Sequence, residues 1–134
     1  MNGRCHCGAV TIEVPGRPEK LNLCNCSVCF TLGTLWAYYP RSQVAIGGTP
    51  RGYARADMAA PRLSFNFCET CGATTHWSYL DPHGPDRAGV NMRLFDPADL
   101  AGIEVEYENS REEHPGAPER YREASIFTAS GATA

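Results

Sequence analysis

Seven cysteines in three tight clusters constrain this chain more than any other feature: Cys5-His6-Cys7-Gly8, Cys24-Asn25-Cys26-Ser27-Val28-Cys29 and Cys68-Glu69-Thr70-Cys71-Gly72. No cysteine stands alone. Such spacings let successive thiolates converge on one metal ion at about 2.3 Å, because a tight turn brings two side chains to the same side. Gly8 and Gly72 each follow the second cysteine of a pair. There a missing Cβ permits a left-handed turn and lets amide N–H groups point at sulfur, dispersing its charge. An odd number of thiols cannot all pair within one chain, and a redox dithiol at Cys68 and Cys71 would call for a strand-to-helix context. Gly72-Ala73-Thr74-Thr75 leads into a strand instead. Metal ligation accounts for the clustering, and paired knuckles joined by β-hairpins suit Zn²⁺ better than an iron–sulfur cluster.

Seven ligands are one too many for a single tetrahedral site and one too few for two closed ones. The natural partition is four plus three. Structural zinc is closed by four protein ligands, whereas catalytic zinc keeps a position for water or substrate. Cys24, Cys26 and Cys29 form one compact motif able to hold a metal, which leaves Cys5, Cys7, Cys68 and Cys71 to share the other. Spacing alone leaves other assignments open.

The rest of the chain reads as short strands. Its 134 residues are enough for one domain, and with 43% hydrophobic and 20% charged residues it has the composition of a globular protein. Gly and Pro, 13 and 10 of the total, cut it into segments too short for long helices. Val10, Ile12 and Val14 alternate with Thr11 and Glu13, as a half-buried strand requires. Further strands are expected at 20–23, 34–39, 43–46, 51–55, 62–67, 74–80, 88–94 and 103–107, with Gly47-Gly48 as the turn of a hairpin between 43–46 and 51–55. Asp96-Pro97 predicts a short helix, with Asp as the cap and Pro at the first helical position. A mainly β domain over 1–108 is expected, followed by a polar tail over 109–134 with a short helix near 118–125.

The charge balance, 12 basic against 15 acidic residues for a net −3, and a pI of about 5.8 argue against nucleic acid as the partner, since counterion release needs a positive face. No run of about 18 apolar residues is present to span a bilayer, and the N-terminus does not read as a signal peptide. A cytoplasmic protein that does not engage membranes is expected.

In order, the motifs CHCGAV, CNCSVC, FCETCG and AGVNMRL, lying between Gly3 and Tyr107, resemble those of the glutathione-dependent formaldehyde-activating enzyme family, which also includes centromere protein V. The resemblance implies a β-tent fold of short antiparallel sheets stapled by zinc knuckles. It also implies a structural zinc on Cys5, Cys7, Cys68 and Cys71 and a second, catalytic-type zinc on Cys24, Cys26 and Cys29. The activity it implies is that of a carbon–sulfur lyase, or of an enzyme joining a small thiol such as glutathione to an aldehyde. The segment Phe30-Thr31-Leu32-Gly33 lacks the basic residues often found after the triad in that family, and the tail departs from the family's aromatic ending.

Three thiolates on Zn²⁺ leave a net −1, so this ion would acidify water poorly but could still take a thiol as its fourth ligand. His76 is a candidate proton carrier. Asn91 and Arg93, expected on one strand face, are candidates to bind a carboxylate or polarise a carbonyl, and Arg93 or Arg62 to supply a positive group. Trp36, Tyr38, Tyr39 and Trp77 read either as pocket walls or as sheet core, and His6 as pointing away from the metal. The competing reading is a noncatalytic zinc-stabilised binding module whose triad is closed by a fourth protein ligand such as His76.

Overall fold

A computed structural model describes residues 1–110, and the expected helix near 118–125 lies outside them. Among the described residues ten strands form two sheets. The smaller one is antiparallel, in the order β1 (Asn2–Arg4), β2 (Thr11–Glu13), β5 (Ala45–Gly47). The larger one has seven strands in the order β10 (Glu104–Glu108), β3 (Lys20–Cys24), β4 (Trp36–Tyr39), β9 (Ala88–Asn91), β8 (Thr74–Tyr79), β7 (Leu63–Phe67), β6 (Arg51–Ala54). Its neighbours are antiparallel except β10, which runs parallel to β3. The mainly β class is as expected, although the larger sheet is mixed rather than purely antiparallel. Among the described residues no helix is long and apolar enough to cross a membrane.

The alternation of β2 buries Ile12 and Val14 against Leu21, Ala37, Tyr39, Val90 and Met92, forming the main core on one face of the large sheet. The other face carries a second cluster of Cys24, Val28, Cys29, Trp36, Phe65 and Trp77. β4 serves both faces. Successive side chains of a strand point to opposite sides, so Ala37 and Tyr39 enter the main core while Trp36 joins the cysteine side, where Tyr38 packs at a tilt against Trp77. A third, smaller cluster of Cys5, Val10 and Cys68 ties the two sheets together.

The hairpin expected around Gly47-Gly48 does not form. β5 pairs with β2 in the small sheet and β6 with β7 at the edge of the large one. Gly48 has φ +83°, and a Cβ there would come within 2.2 Å of the Ala9 carbonyl oxygen, so the glycine serves a crossing between sheets rather than a two-residue turn. The strand expected over 88–94 ends at Asn91, and Met92–Leu94 makes a 3₁₀ turn. A helix α1 (Ser27–Leu32) and the N-terminal strand β1 were not expected, whereas α2 (Pro97–Leu100) starts where Asp96-Pro97 places it, with Asp96 Oδ1 accepting from Ala98 N at 2.9 Å.

Candidate metal centre

The seven sulfurs separate into two groups, Cys5, Cys7, Cys68 and Cys71 in one and Cys24, Cys26 and Cys29 in the other; within each group the sulfurs lie within 4.8 Å of one another. None forms a disulfide. In the group of four, Cys5 Sγ lies 3.7 Å from Cys7 Sγ, and Cys7 Sγ lies 3.6 Å from Cys68 Sγ. Four sulfurs at the corners of a tetrahedron with about 2.3 Å bonds to a central zinc stand about 3.8 Å apart, so the spacing fits such an ion. Each group could hold a metal ion.

The group of four is assembled by two matching knuckles. Gly8 and Gly72 take φ +83° and +76°, and their amides donate to the Cys5 and Cys68 carbonyls at 3.0 and 2.8 Å. Val10 N donates to Cys5 Sγ at 3.2 Å. Cys5 and Cys68 are buried while Cys7 and Cys71 are exposed, so the site joins the core to the surface. His6 is exposed and outside the ligand group, as its position between two ligands suggests.

The triad is built differently. β3 delivers Cys24; Cys26 is the N-cap of α1, and its sulfur accepts from Cys29 N at 3.4 Å in the role usually filled by a serine or aspartate oxygen. Cys26 N in turn donates to Cys24 Sγ at 3.4 Å. α1 ends at Gly33, which is left-handed at φ +66°. S–H donors from Cys24 and then Cys29 stabilise the Cys26 thiolate and hold its pKa far below the ordinary thiol range. With that charge in place, Cys24 and Cys29 are pushed up, Cys29 the more strongly. A cation among them would remove the conflict, which is the chemical sense in which this donor set fits a metal.

Around the triad stands an aromatic wall. Trp36 is 1% exposed, and its indole N–H donates to Cys29 Sγ at 3.3 Å. Trp77 lies 5.9 Å from Tyr38 and 5.6 Å from Tyr79 between ring centres, and Phe65 lies 6.3 Å from Trp36. Burial first, then the negative Glu108 and the Cys24 and Cys29 sulfurs, push the Tyr38 phenol well above its ordinary pKa, so it stays protonated. Trp36, Tyr38 and Trp77 thus line the triad face, while Tyr39 belongs to the main core and donates its hydroxyl to the Gly16 carbonyl at 2.9 Å.

Arg55 was missed by the sequence reading. Its guanidinium pairs with Asp57 at 2.6 Å and donates to Ser27 Oγ at 2.9 Å, and Ser27 Oγ also donates to Asp57. Only Asp57 two residues on hinted at the pairing. Arg62 is exposed, with its guanidinium 5.9 Å from the Tyr79 ring centre, and together with Arg55, Met58, Leu63 and Tyr79 it lines a cavity of about 270 Å³. Arg87, also missed, sits 4.4 Å over the Tyr38 ring.

The candidates Asn91 and Arg93 do not share a strand face, because β9 ends between them. Arg93 is exposed, and Asn91 is consumed by backbone: Nδ2 donates to Thr74 O at 2.8 Å, while Oδ1 accepts from Leu35 N and Arg93 N. His76 is buried on the face of β8 opposite Trp77 and is not among the ligands at the triad. Conversely, Asn109 and Ser110, expected in the tail, touch the triad segment: Asn25 Nδ2 donates to Asn109 Oδ1 at 2.8 Å, and Ser110 Oγ lies 3.4 Å from Cys24 Sγ.

A crystal structure of a Rhodobacter sphaeroides protein from a structural genomics programme is similar to this chain, with 30% identity and a TM-score of 0.59, covering 79% of this chain and all of that one. No curated protein shows a significant match. The family model of the glutathione-dependent formaldehyde-activating enzyme matches residues 1–110, which takes in both cysteine groups and every strand described above, and the chain therefore belongs to that family.

Proposed function

We propose that this chain is a zinc-dependent carbon–sulfur lyase or thiol–aldehyde adduct-forming enzyme, similar to S-(hydroxymethyl)glutathione synthase. In this reading Cys5, Cys7, Cys68 and Cys71 hold a structural ion, and Cys24, Cys26 and Cys29 hold the reactive one. The observation that carries the proposal is the partition itself: four sulfurs complete one tetrahedron, and the other three gather no further His, Cys, Asp or Glu ligand among the described residues. Family membership supports a formaldehyde-activating, glutathione-related lyase-type function. The binding-module alternative needs a fourth protein ligand such as His76, which faces away from the triad.

When bound, Zn²⁺ supplies a fourth coordination position at which a substrate thiol is held as thiolate at neutral pH. The residues of the chain do the rest. The aromatic wall of Trp36, Tyr38 and Trp77 limits water around the sulfurs, and the Trp36 N–H fixes Cys29. In the forward direction the substrate sulfur bonds to the aldehyde carbon, the C=O electron pair moves to oxygen, and the proton lost by the thiol ends on that oxygen. Run in reverse, the carbon–sulfur bond breaks and the aldehyde leaves. Two filled sites would take the net charge from −3 to −6, since seven thiolates and two dications together add a further −3. Arg62 and Arg87 offset that charge locally for an anionic thiol such as glutathione. We assign the reaction to a cytoplasmic setting, where that thiol is abundant.

Exchange spectroscopy of ¹³C-formaldehyde with glutathione tests the proposal. Metal-loaded protein is expected to accelerate adduct formation and breakdown equally, and Cys26→Ala to abolish the acceleration. No acceleration by the loaded wild type with glutathione or other small thiols would overturn it.

A further inference from the structure

Two tryptophans stand in the cluster that contains Cys24 and Cys29, and they do different things there. Trp36 Nε1 donates to Cys29 Sγ at 3.3 Å, whereas Trp77 packs edge-to-face against Tyr79 and at a tilt against Tyr38. An indole N–H is a donor with no acceptor capacity. Buried to 1% exposure, it needs an acceptor, and the sulfur supplies one.

From this geometry we infer that Trp36 is a positioning residue of the triad: its indole N–H fixes the Cys29 sulfur, withdraws charge from it and strengthens its hold on a metal ion. The inference rests on the reading of the triad as a metal site. The three sulfurs have unlike surroundings. Cys24 Sγ receives the Cys26 amide and stands beside the Ser110 hydroxyl, and Cys26 Sγ receives the Cys29 amide. Cys29 Sγ receives a side-chain N–H from a central strand. Trp36 is held by register pairing with Asn22 on one side and Asn91 on the other, and its ring stands against Phe65. The donor is therefore rigid, whereas the Ser110 hydroxyl can rotate and can both give and accept a proton. A fixed donor on one ligand does two things. It orients that sulfur toward the metal, as outer-shell partners do for metal-bound histidines. It also makes Cys29 a poorer nucleophile than an unbonded thiolate, so an aldehyde entering the site meets the substrate sulfur as the better partner.

The test loads zinc into the group of four and then cobalt(II) into the triad, and compares Trp36→Phe with Trp77→Phe. Both variants keep an aromatic ring in the same cluster, but only the first removes an N–H aimed at sulfur. In Trp36→Phe the sulfur-to-cobalt charge-transfer band is expected to move to lower energy, and the triad to bind cobalt at least about tenfold more weakly. Trp77→Phe alters the wall but no hydrogen bond to sulfur, so it should leave the band in place and weaken cobalt binding less than Trp36→Phe does, and zinc retained by the group of four reports that each variant is folded. If Trp36→Phe fails to fold, Trp77→Phe grown with 5-fluorotryptophan places one more acidic indole at position 36, and the band is expected to move to higher energy. A Trp36→Phe spectrum and affinity equal to those of Trp77→Phe, or an unmoved band with the fluoroindole, would overturn the inference. Wild type that takes up no cobalt at the triad overturns the metal reading itself, and this one with it.

Discussion

Trp77 lies directly over Gly89, its register partner on β9: a Cβ built at Gly89 would meet the indole Nε1 at 2.0 Å and Cε2 at 2.5 Å. The ring fills the space a side chain would take, and from there it reaches Tyr38 and Tyr79. Gly89→Ala is therefore expected to displace Trp77 and loosen the wall around the triad at an overpacking cost of about 1–3 kcal/mol. Chemical denaturation together with triad metal affinity checks this. A variant with wild-type stability and affinity would show that the indole moves aside freely.

The two cysteine groups should respond unequally to loss of a ligand. Cys71→Ala opens a closed four-sulfur site beside the cluster that joins the sheets, and binding free energy at such a site is folding free energy, of order 10 kcal/mol. It is expected to unfold the domain. Cys26→Ala leaves that site intact, so one metal should be lost while the circular dichroism spectrum is retained. Metal analysis beside the spectrum decides, and equal collapse of both variants would refute distinct roles.

What could be read in the residues follows from how local each determinant is. The division into four and three was legible because it is a matter of counting, while which cysteines share an ion rested on the family resemblance; the strand at β2 was legible because Val10, Ile12 and Val14 are apolar at every second position. α1 was not, because its six residues carry no apolar period; the helix is held by a thiolate cap at Cys26 and a left-handed Gly33. The pairing of β5 with β2 rather than β6 depends on where Ala9 lies against Gly48, a contact between residues 39 apart that no window of sequence displays. The role of Trp36 was half visible. Its place near the triad could be expected, but the choice between wall and core dissolved once the indole proved to do both, packed at 1% exposure with its N–H on sulfur. Arg55 stayed hidden because an arginine in a polar stretch has the appearance of a solvated charge until Ser27 is found beside it.

That arginine ties the β6–β7 connection to the first residue of α1, directly after the candidate ligand Cys26. Arg55 first, then Ser27, holds the Asp57 carboxyl below the usual carboxylate range. Its folded pKa is depressed, so the contribution is present above about pH 4 and is lost only as pH falls through the lower folded value. Because Asp57 is half exposed, the pair is worth about 1 kcal/mol or less to global stability. Asp57→Asn is therefore expected to change the denaturation midpoint little, while weakening metal binding at the triad several-fold through a looser α1. An unchanged affinity would confine the clamp to the surface.

His76 supplies a pH dependence of its own. The ring is buried, and Nδ1 lies 2.9 Å from Thr75 Oγ1, whose single proton goes to the Asn66 carbonyl at 3.2 Å. With that proton committed, Nδ1–H donates to Thr75 Oγ1 and the neutral ring is the form that fits. Burial, and then the positive Arg41, bring the pKa down from 6.5 to about 4. The unfolded chain takes up the proton first, so stability is full above pH 6.5 and declines as pH falls from there toward 4. At about 1.4 kcal/mol per pH unit the loss approaches 2 kcal/mol by pH 5. His76→Gln removes the titrating group; thiolate protonation at the metal sites is common to both proteins and cancels in their difference. Wild type minus variant, measured by denaturation at pH 7 and pH 5, is expected to shrink by about that amount. A difference independent of pH would show that the folded protein charges His76 as readily as the unfolded chain does.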